Sequence, residues 1–206
     1  MKITVEWLNE KSACSSGVEW FKNQKETDSI KVLNALIKDD KLDYVNWTIS
    51  RLMTHKQQIQ YCIFAAEQVI KIYEDNYPED KRPRQAIEAA RKYLKKPTGK
   101  NKQAAYAAAN AAYVAANAAY AVNCAANAAN AAAYAANAAA NAAYAAYAAN
   151  AAYAANAAYA VTCAVNAANA SAYAANAAAN AMTYAAYAAI KIKIINYGIK
   201  LLKGAK

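Results

Sequence analysis

The sequence has few of the residues that interrupt helices or build metal sites. Only four glycines and three prolines occur in 206 residues, which favours long helices over a many-stranded sandwich or barrel. The chain contains one histidine, His55, and its four cysteines form no Cys-x-x-Cys pair. This pattern argues against a zinc site and a disulfide framework. We therefore expect no metal and no cofactor, and reduced thiols at Cys14, Cys62, Cys124 and Cys163.

Motifs of catalysis are also lacking. The chain has no phosphate-binding glycine loop, dinucleotide fingerprint, metalloprotease helix motif or nucleophile elbow. Two acidic clusters lie where predicted helices begin or end, so helix capping explains them better than metal binding does. These clusters comprise Asp39, Asp40 and Asp43, and Glu74, Asp75, Glu79 and Asp80. The sequence predicts no enzyme and no catalytic residue.

The N-terminal residues show no apolar core of a signal peptide. A long alanine tract later in the chain has the length to span a bilayer. However, its regularly placed asparagines would be costly in hydrocarbon. We therefore predict a cytoplasmic protein with no integral membrane association.

Charge divides the chain into two parts. All fourteen acidic residues lie between Glu6 and Glu88, and residues 103–190 carry no charged side chain, in a protein of net charge +10. Five of the 24 basic residues form a tail from Lys191 onward. We place a domain boundary near Pro97-Thr98-Gly99. The predicted domains are a helical domain over 1–97 and a repeat region over 98–206 that ends in the basic tail.

The first part shows apolar residues at three- and four-residue spacing, which predicts a compact domain of several helices. The run Thr27-Asp28-Ser29 offers capping side chains for one helix, and Asp43 is predicted to cap the next. Pro78 ends a helix, while Pro83 suits the first turn of the one that follows. The predicted helices cover residues 5–13, 17–24, 30–38, 44–54, 59–73 and 84–96.

The second part is an internal repeat of alanine, tyrosine and asparagine. The spacing of residues 117–141 recurs at 156–180, an offset of 39 residues. Alanine has the highest helix propensity, so we predict helices. From Tyr144 to Thr162 every third residue is a tyrosine, an asparagine or a threonine. At this spacing the side chains would wind around a straight helix and would not share one face. We therefore predict a break there and long helices packed antiparallel, with one unbroken helix as the alternative. The tail from Ile190 alternates like a strand but is also predicted to be helical.

Basic residues crowd the segment from Lys81 to Lys102. With the many tyrosines of the tract, this segment indicates a binding surface, either for a protein or for a nucleotide or nucleic acid. The alternative is a face that only keeps the protein soluble. The candidate partner-binding residues are Arg82, Arg84, Arg91, Tyr144, Tyr147, Tyr153 and Tyr159.

Three stretches resemble a known family. They are Trp7-Leu8 with Ala13-Cys14, Gly17 and Trp20-Phe21; then Cys62 with residues 65–69; and then the proline-flanked run 77–91, which leads into the alanine tract. The chain resembles the immunity protein domain of bacterial polymorphic-toxin loci and phages, whose members end in alanine-rich runs. This chain has Asn where relatives often have Asp, so the tract lacks their acidity.

The resemblance implies a protein that binds and neutralises a partner without catalysis. Our first hypothesis is therefore a bacterial or phage immunity or anti-defence protein that inhibits a protein toxin or a host defence effector. A nucleotide or nucleic-acid binder is the second. The third is a helical oligomerisation scaffold, in which the tract joins copies of the chain.

Overall fold

The computed structural model describes residues 1–118, 169 and 184–204. Nine helices make up these described ranges, and no extended strand occurs within them. This confirms the predicted all-α class. The helices are α1 (Val5–Glu10), α2 (Ser15–Lys22), α3 (Ser29–Lys38), α4 (Leu42–Leu52), α5 (His55–Glu67), α6 (Ile70–Asn76), α7 (Arg82–Lys95), α8 (Gly99–Ala118) and α9 (Tyr184–Lys203).

Two of the predicted helix starts agree with the structure, and a third does not. Asp28 accepts hydrogen bonds from the N–H groups of Ile30 and Lys31, which confirms the cap of α3. The predicted cap at Asp43 is wrong, because α4 begins at Leu42 and Asp43 lies in its first turn. Pro83 does lie in the first turn of α7, as predicted.

The apolar stripe predicted as one helix is divided between α5 and α6. Gln68 and Val69 leave the helix, and Val69 has φ −129°. The Gln68 side chain donates to the carbonyl oxygen of Phe64 at 2.9 Å. Val69 is nonetheless fully buried, and so are Ile70 and Tyr73 in the next helix. The break leaves the burial pattern intact, so periodicity alone gives no sign of it.

The C-terminal helix belongs to the same core as the first helices. α9 packs against α4 and α5, and Ile194, Ile195 and Ile199 are buried there. The Gln57 side chain donates to the carbonyl oxygen of Leu201 at 2.6 Å. Lys191 pairs with Asp43 at 2.8 Å. The tail prediction of a helix is confirmed.

α7 and α8 form an antiparallel hairpin. α7 ends at Lys95 and α8 begins at Gly99, so the end of the helix predicted over 84–96 agrees with the structure to within one residue. α7 packs against both α5 and α8. The division into domains 1–97 and 98–206 remains a prediction. The predicted break between Tyr144 and Thr162 and the antiparallel packing of the tract lie outside the described residues.

The start of α5 provides a test of local stability. Thr54 and Gln57 form a reciprocal capping box, in which each side chain binds the other residue's backbone N–H. We expect Thr54→Ala to lower the free energy of unfolding by about 1 kcal/mol. Urea titration followed by circular dichroism measures this. Thr27→Ala is the control, and equal midpoints for the two variants would contradict the prediction.

Candidate functional site

The three arginines predicted to bind a partner all lie on α7, and each pairs with a carboxylate of this chain. Arg82 pairs with Asp80, Arg84 with Glu74, and Arg91 with Glu67. The carboxylates of Glu74 and Glu67 belong to α6 and α5. These pairs therefore brace α7 against the two preceding helices.

Asp80 is the centre of the tightest of these networks. Its carboxylate accepts from the Arg82 guanidinium at 2.6 Å, from the Tyr73 hydroxyl at 2.7 Å and from the Arg82 backbone N–H at 3.0 Å. These hydrogen bonds, above all that from Arg82, hold the pKa of Asp80 well below its usual range. Burial and the bond to Asp80 raise the pKa of Tyr73. These hydrogen bonds fix the loop between α6 and α7 to both helices.

Arg84 and Glu74 form a bidentate pair, with both nitrogen–oxygen distances at 2.7 Å. The hydrogen bonds from Arg84 lower the pKa of Glu74. Bidentate arginine–carboxylate pairs fix geometry as well as charge. The proline-flanked run 77–91 thus has a structural role, because its arginines pair with carboxylates of this chain. As partner-binding residues, Arg82, Arg84 and Arg91 remain predictions.

Lysines at the end of the α7–α8 hairpin differ from these arginines. Lys92, Lys95, Lys96 and Lys100, here called the hairpin tip, are exposed and have no ion-pair partner within the described residues. Glu88 is the last acidic residue of the sequence, so no acidic residue lies between or after the lysines of the tip. Sequence reasoning named this basic segment but selected the arginines. The absence of acidic residues after Glu88 is the feature of the sequence that could have identified the lysines of the tip.

The tip is held by side-chain caps at the turn. The Asn101 side chain donates to the carbonyl oxygen of Lys96 at 2.7 Å, at the end of α7. Thr98 accepts from the Asn101 backbone N–H at 3.3 Å, at the start of α8. Capping of both helix ends fixes the turn. The lysines therefore project from a preorganised segment.

A groove of about 260 Å³ adjoins the tip between α5, α7 and α9. Phe64 and Tyr197 stack there with ring centroids 4.0 Å apart. Burial raises the pKa of Tyr197. Arg91 and Lys95 line the same groove, so apolar and basic groups meet on one surface. The four predicted tyrosines, Tyr144, Tyr147, Tyr153 and Tyr159, lie outside the described residues.

Comparison with protein families supplies the remaining observation. The model of a family described as "Imm-5 like putative immunity protein" matches residues 49–162, more than half of the chain. The chain belongs to this family. Membership implies an immunity-type function, which in general is non-catalytic and directed at a protein partner. No curated protein and no solved structure was found to match the chain.

The part matched to the Imm-5 like family contains α5 to α8, and with them the paired arginines, the hairpin tip and most of the groove. The N-terminal motif from Trp7 to Phe21 lies before it. Among the described helices, none is both long and apolar enough to cross a membrane. The same residues contain no group of three histidine, cysteine, aspartate or glutamate side chains suited to hold a metal ion.

Proposed function

We propose that this chain is a non-catalytic binding inhibitor. In this proposal it is an immunity or anti-defence protein of bacterial or phage origin, and it neutralises a protein toxin or a host defence effector. The observation that carries the proposal is the family match over residues 49–162. Inhibition by binding requires only a stable, complementary surface, and no catalytic group.

The surface best suited to such a partner is the hairpin tip together with the adjoining groove. The exposed lysines of the tip favour a partner whose contact face is acidic, and charge complementarity speeds association and restricts the choice of partner. The Phe64–Tyr197 stack and Arg91 supply the aromatic and guanidinium groups typical of binding hot spots. The tyrosines of the tract are further candidate contacts in the same proposal.

The test is rescue of bacterial growth. Candidate toxin domains of polymorphic-toxin systems are expressed one at a time, with and without this chain, and survival is counted. We expect survival with one toxin or a narrow group of related toxins, and a discrete complex of that pair by light scattering. A monomeric chain that rescues growth from none of the toxins and binds none of the candidate defence effectors would contradict the proposal.

Reversal of charge at the tip makes the interface testable. We expect the triple variant Lys92→Glu, Lys95→Glu and Lys96→Glu to weaken binding of the rescued toxin at least about ten-fold at low salt, mainly through slower association. The matched control reverses Lys22, Lys25 and Lys38, which are exposed on or beside α2 and α3. Association rates come from surface plasmon resonance. Equal losses in the two triple variants would show an effect of net charge only.

The same exposed lysines can bind phosphate groups, so nucleic-acid or nucleotide binding is the second candidate function. A single-stranded oligonucleotide would then bind with an affinity that falls steeply with salt, by the release of counterions. Reversal of the tip lysines would reduce that salt dependence. Salt-insensitive binding, or none, would remove this candidate and leave the protein partner.

A further inference from the structure

A second cavity lies among α1, α2, α3 and α4, away from the hairpin tip. Its volume is about 320 Å³, and its walls are mostly aromatic and aliphatic. Trp20, Phe21, Tyr44 and Trp47 supply the aromatic part. Small-molecule sites are typically apolar, with a few convergent polar groups. Every residue that lines this cavity precedes residue 49, so the cavity lies outside the segment matched to the family.

Cys14 is the reactive group among the lining residues. It occupies the N-cap position of α2 and is exposed, whereas Cys62 is fully buried. Its sulfur lies 3.4 Å from the Ser16 hydroxyl oxygen, which lies 2.9 Å from the Tyr44 hydroxyl oxygen. The hydrogen bonds with Ser16 and with the Gly17 backbone lower the pKa of Cys14. An exposed thiol in such surroundings has the character of a nucleophile.

Thr48 adds an independent indication of a ligand. It lines the same cavity, only 4% of its surface is exposed, and its hydroxyl has no hydrogen-bond partner among the described residues. A buried hydroxyl without a partner is unfavourable. A bound molecule with a hydrogen-bond acceptor would satisfy it.

We propose that this cavity binds a small, largely apolar α,β-unsaturated carbonyl compound, and that Cys14 is the residue which that compound modifies. The apolar part packs against the aromatic wall, and the carbonyl oxygen accepts a hydrogen bond from Thr48. The Cys14 sulfur forms a bond with the β-carbon as the carbon–carbon double bond opens. The thiol proton passes to the α-carbon, so the addition needs no further reactant.

The test compares N-phenylmaleimide with N-methylmaleimide on the full chain. Both carry the same electrophilic group, and only the first has an apolar ring for the cavity. Mass spectrometry of proteolytic peptides gives the rate at Cys14, and N-acetylcysteine gives the ratio of rates for a free thiol. We expect the ratio at Cys14 to exceed that reference at least ten-fold. A ratio equal to that of the free thiol would overturn the proposal.

Two variants separate recognition from simple reactivity. Ala13→Leu narrows the cavity, and we expect it to abolish the preference for the phenyl reagent while the methyl reagent reacts as before. Thr48→Val removes the hydroxyl at nearly the same size. It should slow the reaction of Cys14 with N-phenylmaleimide at least three-fold, with unchanged helix content. If both variants keep the ratio of the unmodified chain, the cavity has no part in recognition and the proposal fails.

Discussion

Replacement of Gly198 by alanine is expected to destabilise the fold by about 2 kcal/mol, although the same change within a helix is ordinarily stabilising. Gly198 lies within α9. A Cβ atom at this position would lie 2.8 Å from Cγ2 of Ile49 and 2.9 Å from Cε2 of Tyr61. Both residues are fully buried, so neither side chain can move aside without disturbing the core. Helix α9 would have to withdraw from α4 and α5.

Gly99→Ala is the matched control. Gly99 begins α8, and a Cβ atom there would meet nothing within 4 Å apart from its chain neighbours and the backbone of its own helix. We expect this substitution to be neutral or to stabilise by up to about 1 kcal/mol, because only helix propensity changes. Urea titration of both variants gives the two free energies. Effects of the same sign would contradict the view that Gly198 is present for close packing.

Gly198→Val should have the larger effect, about 3 kcal/mol or more, since it adds two further methyl groups at the same contact. The loss should extend to the proposed interface. Tyr197 is next to Gly198 and stacks on Phe64. Withdrawal of α9 would separate the rings and open the groove. The near-ultraviolet circular dichroism of the aromatic residues should therefore fall together with stability.

The sequence predicts those parts of this fold that depend on nearby residues. The cap at Asp28, the turn after Lys95 and the helical tail all follow from interactions within a few positions. The contact of Gly198 with Ile49 joins residues far apart in the chain, and so does the bond from Gln57 to Leu201, with a separation of 144 residues. No local pattern encodes such contacts. From the sequence alone, Gly198 is therefore only a residue of low helix propensity within a helix.

The candidate site shows the same division. Sequence reasoning identifies the basic segment from composition alone. It does not show which charges are already paired, because Glu74 lies 10 residues from Arg84 and Glu67 lies 24 residues from Arg91. The pairing emerges only when α5, α6 and α7 are packed. The sequence alone therefore does not distinguish the paired arginines from the lysines of the tip, which have no ion-pair partner in the part of the chain that the structure describes.

The second large effect is expected at Asp80. We expect Asp80→Ala to lower the free energy of unfolding by about 3 kcal/mol, because it leaves the buried Tyr73 hydroxyl and the Arg82 guanidinium without their acceptor. Asp75→Ala is the control in the same region. Its pair with Lys71 is exposed at the surface, so its loss should cost less than about 0.5 kcal/mol.

A double-mutant cycle identifies the cause of that loss. Tyr73→Phe alone should cost about 1 kcal/mol, since it removes one hydrogen bond. Combined with Asp80→Ala, it should cost little more than Asp80→Ala alone, because the orphaned hydroxyl is then absent. Fully additive costs would show that Tyr73 and Asp80 stabilise the protein independently. The loop between α6 and α7 would then be held by Arg82 and Asp80 without the tyrosine.

The lowered pKa of Asp80 also gives this network a defined pH dependence. A carboxylate whose folded pKa lies below its unfolded value stabilises the protein fully above the unfolded pKa, about 4, and loses that effect as pH falls. The stability difference between the unmodified chain and Asp80→Asn should therefore be constant from about pH 6 to 8 and narrow below about pH 4. Thermal unfolding at a series of pH values measures it. A difference that persists unchanged to about pH 2 would mean that Asp80 stabilises the loop through packing, with its charge playing no part.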